Sequence, residues 1–341
     1  MDGRARRGVC PQSGDVMNRA EQFALGGSRS QAAIHIGLVN NMPDGALRAT
    51  ELQFARLLKE ASGSLDVRLR LFSLRSIPRG EQARARMDGF YDDANFLEAA
   101  QMDALIVTGA QRSKTALHQE PFWKEFGHLV DWAQANTLST LFSAAAAEAA
   151  VLHLDAIAGR PLPRKLSGVF DAHQAEDDPL FFNMPKTLAM PHARRFDISE
   201  GDLAAKGYRV LTRLSEDQVD IFTRERAGQS RFVFLQGHPE YDPGTLGLAY
   251  LDDLERFLKG QTKQRPAIPE RYFDRATEHR LAQIAKDTSL SRHQELVRAA
   301  LPLQIWRSHA VRLIGNWLTL VAAAKGRHAT SKAVHTRRRA S

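Results

Sequence analysis

Apolar and polar positions along this chain follow two rhythms, and the change between them divides it. Ile34-His35-Ile36-Gly37-Leu38-Val39 is a short apolar run that ends in the turn Asn40-Asn41-Met42-Pro43-Asp44. Asp44 is placed to cap a helix reaching Ala61, in which Leu47, Leu52, Phe54, Leu57 and Leu58 form an apolar face. Val67, Leu69 and Leu71 then alternate with Arg68 and Arg70, the pattern of a strand with one polar side. Residues 104–109 read as a buried strand stopped by a glycine, and 121–135 as a helix studded with Phe122, Trp123, Phe126 and Trp132. A strand at 138–142 turns straight into an alanine-rich helix at 144–154. Strand–helix alternation on this scale predicts an α/β fold whose mostly parallel sheet carries helices on both faces.

Beyond about residue 160 the rhythm shortens to strands at 168–172, 187–190, 208–213, 218–223 and 231–236, closed by a helix over 243–259. Pro266 and Pro269 mark a linker, followed by helical stretches near 275–286 and 289–300. Over 303–324, Trp306, Ala310, Leu313, Trp317 and Leu320 form one stripe opposite Arg307, Arg312 and Asn316. Such a stripe belongs to a helix docked on its own body or on a second copy, which would make a homodimer through the C-terminal helices. The divisions are a disordered lead-in at 1–31, an α/β domain at 32–260, a helical extension at 261–324 and a basic disordered tail at 325–341.

Composition narrows the function classes. The 341 residues carry 47 Lys and Arg against 39 Asp and Glu, a net charge of +8. Five arginines against three acids in 1–31, and six basic residues with no acid in 325–341, account for the whole surplus. The body is neutral, so the high pI does not point to a nucleic-acid partner. No apolar run approaches the roughly 18–20 residues of a membrane span, and the N-terminus lacks a signal-peptide apolar region, so a cytoplasmic protein is expected. A single cysteine, Cys10, allows neither an intrachain disulfide nor a cysteine metal cage, and the twelve histidines show no metal-ligand spacing.

In α/β sheets, chemistry gathers at the carboxyl ends of strands, where helix N-termini aim donors at a ligand. Three such ends stand out: 108–111, 139–148 and 234–242. The sharp strand-to-helix turn at 143–145 has the form of a nucleophile elbow, which exposes one side chain beside backbone N–H groups able to hold an oxyanion. His238, with Glu240 two residues on, has the composition of a base and the carboxylate that orients it.

These segments carry a resemblance. Ile36-Gly37-Leu38-Val39-Asn40-Asn41-Met42-Pro43, Leu105-Ile106-Val107-Thr108-Gly109-Ala110, Ser139-Thr140-Leu141-Phe142, Lys165-Leu166-Ser167-Gly168-Val169-Phe170, Pro191-His192 and Gly237-His238-Pro239-Glu240-Tyr241-Asp242 occur in the order found in the homoserine O-succinyltransferase/O-acetyltransferase family. Over residues 34–259 the chain resembles that family, and the resemblance implies a flavodoxin-like, class I glutamine-amidotransferase-like fold. It also implies acyl transfer from an acyl-CoA cosubstrate to the homoserine γ-hydroxyl in methionine biosynthesis, with no resident cofactor or metal. It makes His238 the base and Glu240 its orienter, Lys165 a substrate-binding lysine, and Arg194 part of the homoserine-binding stretch. Ser113 falls where the family tunes acyl choice, a small residue there leaving room for succinyl.

The departures lie in the same motifs. Ala144 stands where the family has its nucleophilic cysteine, Glu148 where it has Gln or His, Ala193 where it has a substrate-contacting serine, and Asp252 where an arginine grips the substrate carboxylate. Alanine offers no lone pair to a thioester, so no acyl-enzyme can form at 144. Glu148, one turn beyond Ala144, is expected to bring negative charge to the pocket. Strand alternation is expected to turn Ser143 away from the elbow. Three readings stay open: an acyltransferase using direct transfer, a catalytically silent relative that binds a ligand or partner, and an amidotransferase-type hydrolase, which lacks the thiol it would need.

Overall fold

The computed structural model describes residues 33–339, except 95–96, 113–115, 301 and 303, with the backbone alone at 98 and 330–339. The lead-in 1–31 with Cys10, and the acyl-choice position Ser113, lie outside the described residues.

The first half builds as its pattern predicts. β1 (Ile34–Val39), α1 (Asp44–Ala61) and β2 (Val67–Ser73) are followed by α2 (Glu81–Phe90), β3 (Tyr91–Asp93) and α3 (Leu97–Ala100). Next come β4 (Ala104–Thr108), α4 (Trp123–Asn136), β5 (Ser139–Ser143) and α5 (Ala145–Asp155). Every residue of β4 and β5 is buried, because helices cover both faces of the sheet. Two details differ from the pattern. Asp44 does not cap α1; its carboxylate accepts from the Gly80 N–H (2.7 Å) and pairs with Arg79. Leu52 lies 39% exposed, while Thr50, Glu51 and Gln53 on the same helix are buried.

The second half divides its strands between two sheets. β6 (Arg160–Gln174) and β7 (Thr187–Asp197) are far longer than their apolar cores suggest. Pro191 does not end β7, because β7 is an edge strand and needs no ladder N–H on its outer side. After α6 (Glu200–Ala205), the expected strand 208–213 is two strands, β8 (Arg209–Val210) and β9 (Thr212–Ser215). Likewise 218–223 is β10 (Gln218–Val219) and β11 (Ile221–Arg224). The chain changes sheets at Leu211 and Asp220, where Thr212 Oγ1 donates to Asp220 Oδ2 (2.9 Å) and the Leu211 N–H to Ile221 O (2.8 Å). β12 (Arg231–Leu235) completes an eight-stranded sheet of order β3-β2-β1-β4-β5-β12-β11-β8, parallel except around β11. The other sheet, β10-β9-β6-β7, is antiparallel.

α7 (Thr245–Leu258), α8 (Arg275–Gln283), α9 (Leu290–Ala299) and α10 (Arg307–Arg339) finish the chain. The stripe on α10 docks on this chain's own body: Ala310, Leu313 and Trp317 are buried with Phe54, Leu57 and Leu58 of α1. Trp317 Nε1 donates to Ser139 Oγ (2.9 Å), and Asn316 Nδ2 to Leu180 O (2.8 Å). Those side chains are therefore not free to face a second copy. A second apolar cluster, with Phe126 and Val130 of α4 and Ala146 and Ala150 of α5, covers the other face. A third joins Tyr250 and Leu254 of α7 to Tyr272, Leu281 and Trp306. Where a disordered tail is expected from 325, α10 instead continues to Arg339. Alanine, lysine and arginine favour helix there, and no proline interrupts. Among the described residues no helix is long and apolar enough to cross a membrane.

Candidate active site

The carboxyl ends of β4, β5 and β12 lie side by side in the sheet and open on one cavity of about 360 Å³. Between β5 and α5, Ala144 adopts φ 51°, ψ −114°. That left-handed conformation strains any residue with a Cβ, the kind of strain that persists where surrounding structure enforces it. Its N–H donates to Leu235 O (2.7 Å), fastening the elbow to β12. Gly109, at the end of β4, lets the neighbouring loop approach: a Cβ there would lie 2.5 Å from that of Ala145. Ala144, Ala145 and Ser143 all border the cavity, so Ser143 lies at the elbow although alternation is expected to turn its side chain away.

Across the cavity, the loop after β12 presents His238, whose Nδ1 lies 2.9 Å from Glu240 Oε1. A carboxylate accepts, so Nδ1–H donates and Nε2 is left with a free lone pair. The loop is held from three sides. The His238 N–H donates to Pro191 O (2.8 Å), the imidazole stacks on Tyr241 (centroids 4.1 Å apart), and Trp306 Nε1 donates to Tyr241 O (3.0 Å). Beneath it, His192 and Asp220 are fully buried, His192 Nε2 lying 3.3 Å from Asp220 Oδ1. Burial holds the His192 imidazole below its usual pKa, against the opposing pull of Asp220.

The charged lining differs from expectation. Glu148 does face the cavity, but Arg112 pairs with it and lies over the Phe196 ring at 4.1 Å. Burial pushes the Glu148 carboxyl up, and Arg112 opposes that shift. Arg194 Nη1 donates to Asp197 Oδ1 and Gln236 Oε1, both at 2.6 Å. Its Nε and Nη2 are buried without a hydrogen-bond partner among the described residues, and the residue borders the cavity. Ala193 lines the wall as expected. Lys165 does not: it borders a neighbouring cavity, bonded to Asp253 (2.6 Å).

Asp252 is the main correction. Its side chain is 60% exposed and outside the cavity. Arg256, one turn later on α7, borders the cavity and pairs with Asp252 at 3.1 Å. Helical side chains lean toward the N-terminus of their helix, so an arginine at 256 covers the surface near position 252. Asp252 thus faces solvent and pairs with a cation that borders the cavity. The i,i+4 spacing of Asp252 and Arg256 was a readable signal for this pair; Arg112 and Gln236 had none beyond sitting at strand ends. Among the described residues no three His, Cys, Asp or Glu side chains gather to hold a metal ion.

An α/β fold with a strained strand-to-helix elbow facing a His–Glu pair defines a class of proteins whose chemistry sits at sheet ends. The family model of homoserine O-succinyltransferase matches residues 15–326. A homoserine O-succinyltransferase of Rhodopseudomonas palustris is 47% identical over 305 residues, 86% of this chain and 91% of that protein. One from Methylorubrum extorquens is 44% identical over 299 residues, 86% and 88% of the two chains. The chain belongs to the homoserine O-succinyltransferase family. A glutamine amidotransferase structure from Thermotoga maritima covers 85% of this chain and 98% of its own, at 10% identity and a TM-score of 0.44.

Proposed function

We propose that this protein transfers an acyl group, succinyl by preference, from acyl-CoA directly to the homoserine γ-hydroxyl, slowly and without an acyl-enzyme. The observation that carries the reading is the His238–Glu240 pair at 2.9 Å, facing the elbow across one cavity. His238 Nε2 takes the hydroxyl proton as the oxygen attacks the thioester carbonyl. The Ala145 N–H, one of the donors left unpaired at the start of α5, stabilises the oxyanion. Collapse breaks the C–S bond, and the imidazolium returns its proton to the departing thiolate, giving the O-acyl ester and free CoA. Arg256 holds the homoserine carboxylate, and Arg194 offers its remaining donors to a carboxylate within the cavity. Residue 144 supplies no nucleophile; serine hydrolases that lose a triad member keep only ~10³–10⁴-fold catalysis over water. A cytoplasmic location, where acyl-CoA is found, accords with this reading.

The test is release of free thiol from succinyl-CoA with homoserine. We expect turnover that His238→Ala removes. No release above the rate without protein, across succinyl and acetyl donors, overturns the reading. The second reading, a silent relative that binds ligand without turnover, draws on Ala144 and on the Arg112–Glu148 pair within the cavity. Saturable homoserine binding with no thiol release would establish it.

A further inference from the structure

Beside the elbow cavity lies a second one, of about 340 Å³, that no step above uses. Arg195 borders both. The second cavity is lined by four cationic side chains, Arg164, Lys165, Arg195 and Arg265, and by one carboxylate, Asp253. Asp253 is mostly buried and divides its oxygens, Oδ2 to Lys165 (2.6 Å) and Oδ1 to Arg195 (3.3 Å). It therefore fixes two cations in place while leaving most of their donors unused, since an ammonium has three and a guanidinium five. Arg265 is held by Asp287 O (3.0 Å) and lies over the Phe257 ring at 5.5 Å. Neither Arg164 nor Arg265 is ion-paired with a carboxylate among the described residues. The segment after Arg265 is fastened to β6 at Glu270, whose N–H donates to Ser167 O and whose carbonyl accepts from the Val169 N–H, both at 2.9 Å. Gly168, at φ 150°, leaves no room for a Cβ against that backbone.

A pocket with three positive charges in excess suits a polyanion, and arginine forks match phosphate oxygens in particular. We propose that this cavity takes the 3′-phosphoadenosine diphosphate end of acyl-CoA, the pantetheine arm passing Arg195 into the elbow cavity. This rests on the acyl-CoA reading for the donor's identity, but it concerns a separate site that is measured without turnover. Lys165 then contacts phosphate.

The experiment measures binding of 3′-phosphoadenosine 5′-diphosphate, of acetyl-CoA and of S-acetylpantetheine to the full chain by titration calorimetry. Wild type is expected to bind the nucleotide saturably, with affinity falling as salt rises, and to prefer acetyl-CoA to S-acetylpantetheine at least tenfold. Arg164→Glu with Arg265→Gln should erase that preference while leaving S-acetylpantetheine binding unchanged. Arg164→Glu alone, at an exposed side chain, reports the same effect if the pair unfolds the protein. Equal binding of acetyl-CoA and S-acetylpantetheine by wild type, or variants that bind the nucleotide like wild type, overturns the site. Inorganic pyrophosphate binding as tightly as the nucleotide overturns the nucleotide assignment. None of these results depends on thiol release, so either proposal can fail alone.

Discussion

Ala144 keeps a backbone that alanine has no conformational reason to adopt, φ 51° at the head of α5. The elbow is thus enforced by its surroundings, by the Leu235 carbonyl and by the close approach of Gly109, and not by the side chain it presents. A thiol placed there should point into the cavity opposite His238. We predict that Ala144→Cys raises thiol release about 10²-fold or more and yields a protein carrying one covalent acyl group, visible by mass spectrometry. An unmodified protein with an unchanged rate would show that the other changes have disabled the cavity. At Arg256 the argument is electrostatic: Arg256→Ala should weaken homoserine about tenfold, roughly the 1.4 kcal/mol of one charge-assisted contact, with the turnover rate nearly unaltered. Asp252→Asn, which only loosens the anchor, should cost less. His192 governs a third outcome. Its pKa is lowered by burial, with Asp220, Arg194 and His238 around it, so the folded state stays neutral while the unfolded chain takes a proton near pH 6.5. Its contribution to stability is complete above that pH and is lost as pH falls toward the lowered folded value. His35 and His309 are depressed in the same sense. Denaturation midpoints should drop between pH 7 and pH 5, and less steeply in His192→Gln.

The elements show how closely site and scaffold are joined. Trp306, before α10, reaches back to the His238 loop through Tyr241 O, while Trp317 reaches the underside of β5 through Ser139. Trp306→Phe keeps most of the packing and removes one hydrogen bond, so stability should fall by about 1 kcal/mol and thiol release should fall with it. Trp317→Ala should cost about 3–5 kcal/mol through the cavity it opens, and lower activity only through unfolding. Denaturant midpoints beside rates on folded protein distinguish the two. The parallel strands were legible because burial on both faces makes 104–109 and 138–142 continuous apolar runs. The second sheet was not: β6 and β7 are bound by backbone hydrogen bonds along segments whose side chains are mixed. The changes of sheet at Leu211 and Asp220 follow from long-range pairing that no local pattern encodes. At the site, the order of motifs pointed to His238, Glu240 and Ala144, three residues that the structure brings to one cavity. Reading position 252 alone missed that a helix side chain acts a turn away from its own Cα.

At the scale of the molecule, charge and packing divide α10. Among the described side chains its buried positions end at Val321, and Lys325 is anchored to Ala33 O (2.7 Å) and Asp103 Oδ2 (2.6 Å). Beyond it come Arg327, Lys332 and Arg337 to Arg339, with no acid among them. Residues 326–329 are exposed and add little to folding free energy, whereas the Ala310–Val321 stretch covers one face of the main sheet. Ending the chain after Arg327 removes four basic residues and halves the net charge from +8 to +4. We predict a melting temperature within about 2 °C of the full chain, as surface changes usually give, together with unchanged thiol release. Retention on heparin should weaken, because half of the net positive charge is gone. Ending the chain after Gln304 instead should leave no cooperative unfolding transition, since α1 would expose Phe54, Leu57 and Leu58. A large stability loss in the shorter truncation would mean that the basic end of α10 packs on something the isolated chain supplies.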